Sequence, residues 1–224
     1  MPGNTPLRRE WTVIGLVVAL LGIPLVMAVY TMLDVPRTAG SVLARELIVF
    51  AMAGILLWLI RSREGLGWNS VGLQRPAPAN TALWVVLTFF GVGIAFALAM
   101  GVARLVGWQL GGDDTPQQQA LPLWVILVVV VRAGFVEELF YRGYAIERLE
   151  SLTGSRVLAL SVPLLLFALF HYKQGPAGIV VALFMGAVLT GVYVYKRNLW
   201  IPITAHFLVD FVPNYLLPLF GSES

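Results

Sequence analysis

The chain has 224 residues, of which 58% are hydrophobic and only 12% are charged, with a formal net charge of +3. Soluble domains carry roughly 25% charged residues, so this composition excludes an ordinary soluble protein and predicts one that crosses a membrane several times. The absence of cysteine excludes disulfides, thiolate zinc ligands and a cysteine nucleophile. The small positive charge is typical of loop cations at lipid headgroups, and we expect no nucleic-acid partner.

Glycine, proline and charged positions divide the chain into apolar segments long enough to cross a bilayer. A long fourth helix is apolar up to Arg132 and becomes polar after Glu137. The predicted helices cover about residues 11–31, 42–60, 83–105, 121–150, 156–172 and 179–195, with a seventh from Trp200 to the break at Pro213 and a short last segment at 215–220. The sequence thus predicts an all-α polytopic membrane protein, a bundle of about seven to eight transmembrane helices forming a single domain over residues 1–224.

The orientation follows from the distribution of cations. The first apolar run is longer than the roughly 7–15 residues of a signal-peptide core, so we expect a retained helix. Arginine and lysine are in excess at helix ends and loops on the side of the N-terminus, from Arg8 and Arg9 to Lys196 and Arg197. By the positive-inside rule the N-terminus lies in the cytoplasm. We therefore expect an integral protein of the cytoplasmic (plasma) membrane.

Two adjacent glutamates interrupt the fourth helix. Ionisable residues inside apolar helices are costly and mark functional sites by default. Glu138 and Arg142 are four residues apart and therefore share one helix face, which favours an ion pair. Glu137 points roughly 100° away, toward a cavity with no fixed cation, where a carboxylate can accept a proton from water. The alternative is a helix end at the interface, with all three side chains solvated.

The two histidines of the chain also lie in apolar segments. His171 shares a helix face with Phe167, and His206 shares one with Asp210, in each case at a spacing of four. A carboxylate facing an imidazole fixes its tautomer and raises its basicity. The alternatives are a histidine at a span end that donates to a carbonyl, and a structural polar pair that joins two helices.

The three polar groups are predicted to lie at similar depths. With a rise of 1.5 Å per residue, Glu137, His171 and His206 lie roughly 16, 22 and 10 Å from their cytoplasmic helix ends. All three positions fall inside a hydrocarbon core about 30 Å thick, so tilted helices would bring the side chains together. Neither His-Glu-x-x-His nor Gly-x-Ser-x-Gly occurs in the chain.

The ordered set of motifs resembles the CAAX-protease and bacteriocin-processing (CPBP) family of intramembrane endopeptidases, and is similar to its type II CAAX prenyl endopeptidases. The resemblance covers about residues 121–212; the first hundred residues match only in being hydrophobic. In chain order the motifs read Glu137-Glu138-Leu-Phe-Tyr-Arg142, Phe167-Ala-Leu-Phe-His171 and His206-Phe-Leu-Val-Asp210.

The resemblance implies an eight-helix-like core with an intramembrane polar cavity that is open toward the cytosol, and hydrolysis of peptide bonds. It assigns water activation to Glu137 and the orientation of water or substrate to His171. His206 and residue 210 would stabilise the oxyanion. The pair formed by Glu138 and Arg142 would support the site.

Residue 210 leaves the mechanism open. The prenyl-protein endopeptidase branch has asparagine where this chain has Asp210, and an amide can donate to an oxyanion whereas an ionised carboxylate cannot. Asp210 is therefore protonated, orients His206, or helps to bind a metal. A zinc ion held by Glu137, His171 and His206 would also activate water. We favour the glutamate mechanism.

The resemblance implies a membrane-associated protein or peptide as substrate, with no indication of whether it is prenylated. The compact architecture is typical of a prokaryotic protein. Two other hypotheses stay open at the level of sequence: a non-catalytic membrane partner such as an immunity protein, and a proton-coupled transporter, since buried Glu, His and Asp residues also form proton relays. The sequence predicts no particular oligomeric state.

Overall fold

The computed structural model describes residues 9–75, 77–111 and 121–213, and this part of the chain is helical with no strand. A helix that begins at Leu123 continues without a break to Thr153, but its middle section has π-helical turns. We call the whole of this continuous helix the central helix. The helices are α1 (Arg9–Met32), α2 (Ala39–Ser62), α3 (Pro78–Leu105), α4 (Leu123–Arg132), the π-helical section (Ala133–Ile146), α5 (Glu147–Thr153), α6 (Arg156–Leu169), α7 (Gly175–Lys196) and α8 (Trp200–Phe211).

The fold is that of a polytopic helical membrane protein, which confirms the predicted fold class. Helices α1, α2, α3 and the segment Tyr172–Lys196 are long and apolar enough to cross a bilayer, while α6 and α8 are shorter apolar helices. The helices lie close to their predicted positions. The predicted last segment, 215–220, lies outside the described residues.

Local sequence signals explain where several helices begin and end. Thr38 caps α2 through its side chain, which accepts a hydrogen bond from the backbone of Ser41, while the Ser41 hydroxyl accepts one from the Thr38 backbone. Ser155 caps α6 in the same manner by accepting from the Leu158 backbone. Gly154, with φ of +68°, ends α5 in the left-handed conformation that glycine adopts without strain.

The π-helical section Ala133–Ile146 is the centre of the molecule. Most of its side chains are buried, Leu139, Phe140 and Tyr144 completely so, and it packs against α1, α6 and α8. A helix buried all round belongs to the interior of a bundle. By contrast α1, α2 and α3 expose large apolar side chains on their outer faces, as surfaces that contact lipid do.

Close approach of α8 to this central helix depends on Gly134. A Cβ atom at that position would lie 3.0 Å from the backbone nitrogen of Phe207 and 3.1 Å from the carbonyl oxygen of Ile203. Because residue 134 has no side chain, the two helices approach each other closely here. Glu138 lies one turn further along the first helix, and His206 lies beside Phe207 on α8.

Candidate active site

Glu138 joins two of the predicted motifs. Its Oε1 atom accepts a hydrogen bond from Nη1 of Arg142 at 2.7 Å, one helical turn away, and lies 2.8 Å from Nδ1 of His206 on α8. The predicted pair of Glu138 and Arg142 is therefore present. The Glu138 side chain is completely buried, and its Oε2 atom has no hydrogen-bond partner among the described residues. This carboxylate is held by a cation and an imidazole inside the protein.

Arg142 is held in turn by α7 and α6. Its Nε atom donates to the hydroxyl of Thr190 at 3.5 Å and its Nη2 atom to the carbonyl oxygen of Gly186 at 3.4 Å. The guanidinium lies over the ring of Phe167, 4.3 Å from the ring centre. A Cβ at Gly186 would lie 3.0 Å from Nη2, so the small residue on α7 makes room for the arginine that fixes Glu138.

The ring of Phe167 lies between the two histidines. Its centre is 4.9 Å from that of His171 and 6.3 Å from that of His206. Tyr141 of the central helix packs edge-on against the same ring at 5.4 Å. The three motifs, which are far apart along the chain, therefore meet around one aromatic side chain, as the predicted depths allowed.

His171 lies just beyond a helix rather than inside one. The prediction extended the fifth helix to residue 172, but α6 ends at Leu169 and His171 occupies the turn that follows. The Nδ1 atom of His171 lies 2.8 Å from the carbonyl oxygen of Phe167. A carbonyl only accepts hydrogen bonds, so Nδ1 carries the proton and donates. In the neutral ring this leaves the Nε2 lone pair free to accept a hydrogen bond.

His206 has a carboxylate at each of its nitrogen atoms. Nδ1 faces Glu138, and Nε2 lies 3.5 Å from Oδ2 of Asp210, one turn further along α8. The Asp210 side chain is 31% exposed, whereas Glu138 is inaccessible. The imidazole therefore lies between the buried carboxylate of Glu138 and the partly exposed carboxylate of Asp210.

Glu137 does have a fixed cation, and the expectation that it has none is wrong. Its Oε1 atom contacts Nη1 of Arg132. The Nε atom of Arg132 donates at 2.6 Å to Oε2 of Glu46, a completely buried residue of α2. Arg45 donates to the other Glu46 oxygen from Nε at 3.0 Å and from Nη2 at 2.6 Å. We call the four residues Arg45, Glu46, Arg132 and Glu137 the ion-pair chain.

The geometry of the central helix explains why this pairing was missed. In an α-helix, positions five apart such as 132 and 137 point about 140° away from each other. Hydrogen bonding of the i→i+5 type, which begins at Ala133, turns such positions toward each other. The sequence nonetheless marks Arg132 and Glu46 as candidates for a paired role, because both are ionisable residues inside predicted spans.

Glu137 differs from its neighbour Glu138 in access to solvent. Its side chain is 15% exposed, and it is close enough to both His171 and His206 to interact with them electrostatically. A partly exposed carboxylate opposite two imidazoles combines a proton acceptor with groups that can donate to a developing negative charge. This arrangement has the elements needed for acid–base hydrolysis.

The zinc alternative names three of these residues as ligands. The metal-dependent alternative requires Glu137, His171 and His206 as ligands, but among the described residues no three His, Asp or Glu side chains are arranged to hold a metal ion. The Glu137 carboxylate contacts the guanidinium of Arg132 and His206 Nδ1 faces Glu138. A zinc ion at these residues would therefore have to bind Nε2 of His206 and the second oxygen of Glu137.

Comparison with known proteins identifies one matching region. Residues 119–212 match the family model described as type II CAAX prenyl endopeptidase Rce1-like. This confirms the resemblance stated above and supports a CAAX-type intramembrane protease. The match includes all seven residues numbered in the three motifs as well as Arg132, whereas Arg45 and Glu46 lie outside it. Searches of curated proteins and of solved structures gave no match.

Proposed function

We propose that this chain, which carries an Rce1-like domain of the type II CAAX prenyl endopeptidases over residues 119–212, is an intramembrane endopeptidase that hydrolyses a membrane-associated protein or peptide. The observation that carries the proposal is the contrast between the two adjacent glutamates. Glu138 is buried and held by Arg142 and His206, whereas Glu137 is partly exposed and lies near both histidines. Only Glu137 can meet a water molecule and a substrate.

In the proposed reaction Glu137 is the general base and then the general acid. A water molecule gives one proton to the Glu137 carboxylate while its oxygen bonds to the carbon of the scissile carbonyl. The resulting tetrahedral species carries the negative charge on the former carbonyl oxygen. When this species collapses, the carbon–nitrogen bond breaks and protonated Glu137 returns the proton to the leaving nitrogen. Arg132 keeps the carboxyl group of Glu137 in place through the two proton transfers.

The two histidines serve different purposes in this proposal. The Nδ1–H group of His171 is committed to the Phe167 carbonyl, so its Nε2 atom is available to orient the attacking water. His206 has Glu138 at Nδ1 and a long, 3.5 Å contact with Asp210 at Nε2. The long contact leaves room for an oxyanion to take the Nε2 hydrogen bond. This geometry favours Asp210 as the residue that orients His206 before the substrate binds.

A non-catalytic membrane partner is the second candidate. The observation that favours it is the ion-pair chain, because two arginines and two glutamates between α2 and the continuous helix Leu123–Thr153 could serve only to lock these two helices together. Under this alternative a change at Glu137 would alter folding or partner binding without changing any peptide product.

The test compares protein termini in cells that express the wild type, Glu137→Gln or Glu150→Gln at matched levels. Glu150 is the matched control because it pairs with Arg156 at the exposed end of the same continuous helix. We expect termini that appear with the wild type and Glu150→Gln but not with Glu137→Gln, and these termini would also identify the substrate. Identical termini in all three strains, with the Glu137→Gln protein folded, would overturn the proposal.

A further inference from the structure

We infer that Glu46 of α2, acting through Arg132, is a positioning residue for the Glu137 carboxylate. The inference rests on the proposed peptidase function and extends the site beyond the region that matches the family model, since Glu46 lies more than seventy residues before that region. It assigns a specific function to a helix whose sequence is otherwise notable only for being hydrophobic.

The geometry of Arg132 links Glu46 to Glu137. Arg132 uses two different nitrogen atoms for two different carboxylates, Nε for Glu46 and Nη1 for Glu137. Because a guanidinium is planar and rigid, a contact at Nε determines the direction in which Nη1 points. Glu46 therefore fixes the plane of Arg132, and Arg132 fixes the position of Glu137 Oε1.

The charges of the ion-pair chain also link Glu46 to Glu137. Formally the ion-pair chain contains two positive and two negative charges in alternation. Glu46 is completely buried, and a buried carboxylate is tolerated only when it is paired and hydrogen-bonded. Arg45 contacts one of its oxygens and Arg132 the other. If Glu46 alone were removed, the ion-pair chain would contain two cations and a single carboxylate. The two cations would then draw Glu137 away from the substrate.

The ion-pair chain ends at a reactive group. In a network that only stabilises the fold, we would expect the last residue to have all its hydrogen-bond partners and to be buried away from solvent. Here the buried members Glu46 and Arg132 lead to Glu137, which is partly exposed and lies near both histidines. Supporting residues of this kind typically change activity by about 10- to 100-fold when they are removed.

The experiment measures kcat and KM for purified protein on a substrate peptide identified from the termini. The variants are Glu46→Gln, the charge-balanced double variant Arg45→Gln/Glu46→Gln, Arg132→Gln and Arg132→Lys. Glu64→Gln is the matched control, because Glu64 is also a buried glutamate at the end of α2 that pairs with an arginine of the central helix, Arg148.

We expect the two Glu46 variants to lower kcat about 10- to 100-fold while KM stays within about threefold of the wild type. Arg132→Lys should recover part of the kcat that Arg132→Gln loses, because it retains the charge but not the rigid connection. Glu64→Gln should leave the kcat of the folded protein unchanged. The double variant provides the same comparison if Glu46→Gln alone does not fold.

Two failures are distinguishable. If Glu137→Gln abolishes cleavage but both Glu46 variants retain the kcat of the wild type, the inference is wrong and the proposed function stands. A loss of kcat in Glu64→Gln equal to that in Glu46→Gln would assign Glu46 a structural role only. If the wild type and Glu137→Gln cleave nothing, the proposed function fails and the inference fails with it.

Discussion

The central helix carries two buried polar networks that look alike in sequence and differ in chemistry. We call the group around Glu137, Glu138, His171, His206 and Asp210 the site cluster. Further along the same continuous helix, the Glu64 network consists of Thr12, Glu64, Ser70, Tyr144 and Arg148. Both networks contain a buried glutamate that pairs with an arginine of the central helix.

The Glu64 network is fully satisfied. Glu64 Oε1 accepts from the Thr12 hydroxyl at 3.0 Å and the Tyr144 hydroxyl at 2.7 Å, while Oε2 accepts from Arg148 Nε at 3.0 Å. Arg148 also donates to the backbone and the hydroxyl of Ser70. These bonds join α1, the end of α2 and the following loop to the central helix, so the network holds the fold together.

The site cluster retains unused hydrogen-bonding capacity. Glu138 Oε2 has no partner among the described residues, and His171 has an uncommitted Nε2 atom when neutral. Glu137 and Asp210 are partly exposed. Because both networks contain a buried ion pair, burial of charge does not by itself identify a reactive site. Incomplete pairing, together with histidine and partial exposure, distinguishes a group able to react from one that only stabilises the fold.

The largest effect that we expect is the loss of activity in the His206→Ala variant. We expect His206→Ala to lower kcat by about 10²- to 10³-fold, because it removes the group proposed to donate to the oxyanion. The measurement is kcat on purified protein with a defined peptide substrate. A loss of less than tenfold would place His206 among the structural residues, and the distinction between the two networks would lose its main support.

Glu64→Gln should lower the stability of the protein and leave kcat unchanged. The substitution leaves the buried Arg148 without its anionic partner, which typically costs about 3–5 kcal/mol of folding free energy. We expect a lower unfolding temperature in detergent, with the kcat of the remaining folded protein unchanged. A fall in kcat without a fall in stability would show that the Glu64 network takes part in the reaction.

Tyr144→Phe is a milder test of the same network. It removes one hydrogen bond to Glu64, which still accepts from Thr12 and Arg148. The expected loss is about 1 kcal/mol of unfolding free energy. Denaturant titration of the purified protein would measure it. A loss as large as that of Glu64→Gln would mean that the tyrosine hydroxyl, and not the ion pair, holds the network together.

The two networks also show which features sequence can predict. The pair of Glu138 and Arg142 was predictable because its members are one helical turn apart on the same helix. The meeting of His171 and His206 around Phe167 could be expected because both were predicted to lie inside the hydrocarbon core. The contacts of Arg132 could not be read in the same way, because one depends on π-helical turns and the other joins positions 86 residues apart. Pairing across helices requires knowledge of which helices are neighbours.

The end of α6 illustrates the same limit on a smaller scale. The apolar run extends past Leu169 without a break, so the sequence predicted a helix that included His171. The helix ends earlier, and the short turn at Tyr172–Gln174 follows it, with Gly175 in a left-handed conformation at φ of +75°. The bond from His171 to the Phe167 carbonyl belongs to this helix end, where the last carbonyls lack helical partners.

The smallest expected effect is that of Asp210→Asn, and it separates two accounts of His206. If Asp210 only orients the imidazole by accepting from Nε2, the asparagine carbonyl can accept in its place, and kcat should change by less than about fivefold. If the negative charge of Asp210 is needed to keep His206 protonated, kcat should fall by an order of magnitude or more. The 3.5 Å separation between Nε2 and Oδ2 is longer than a strong charge-assisted bond of about 2.7–2.9 Å. We therefore expect the first result, which would mean that either residue type at position 210 can serve the same site.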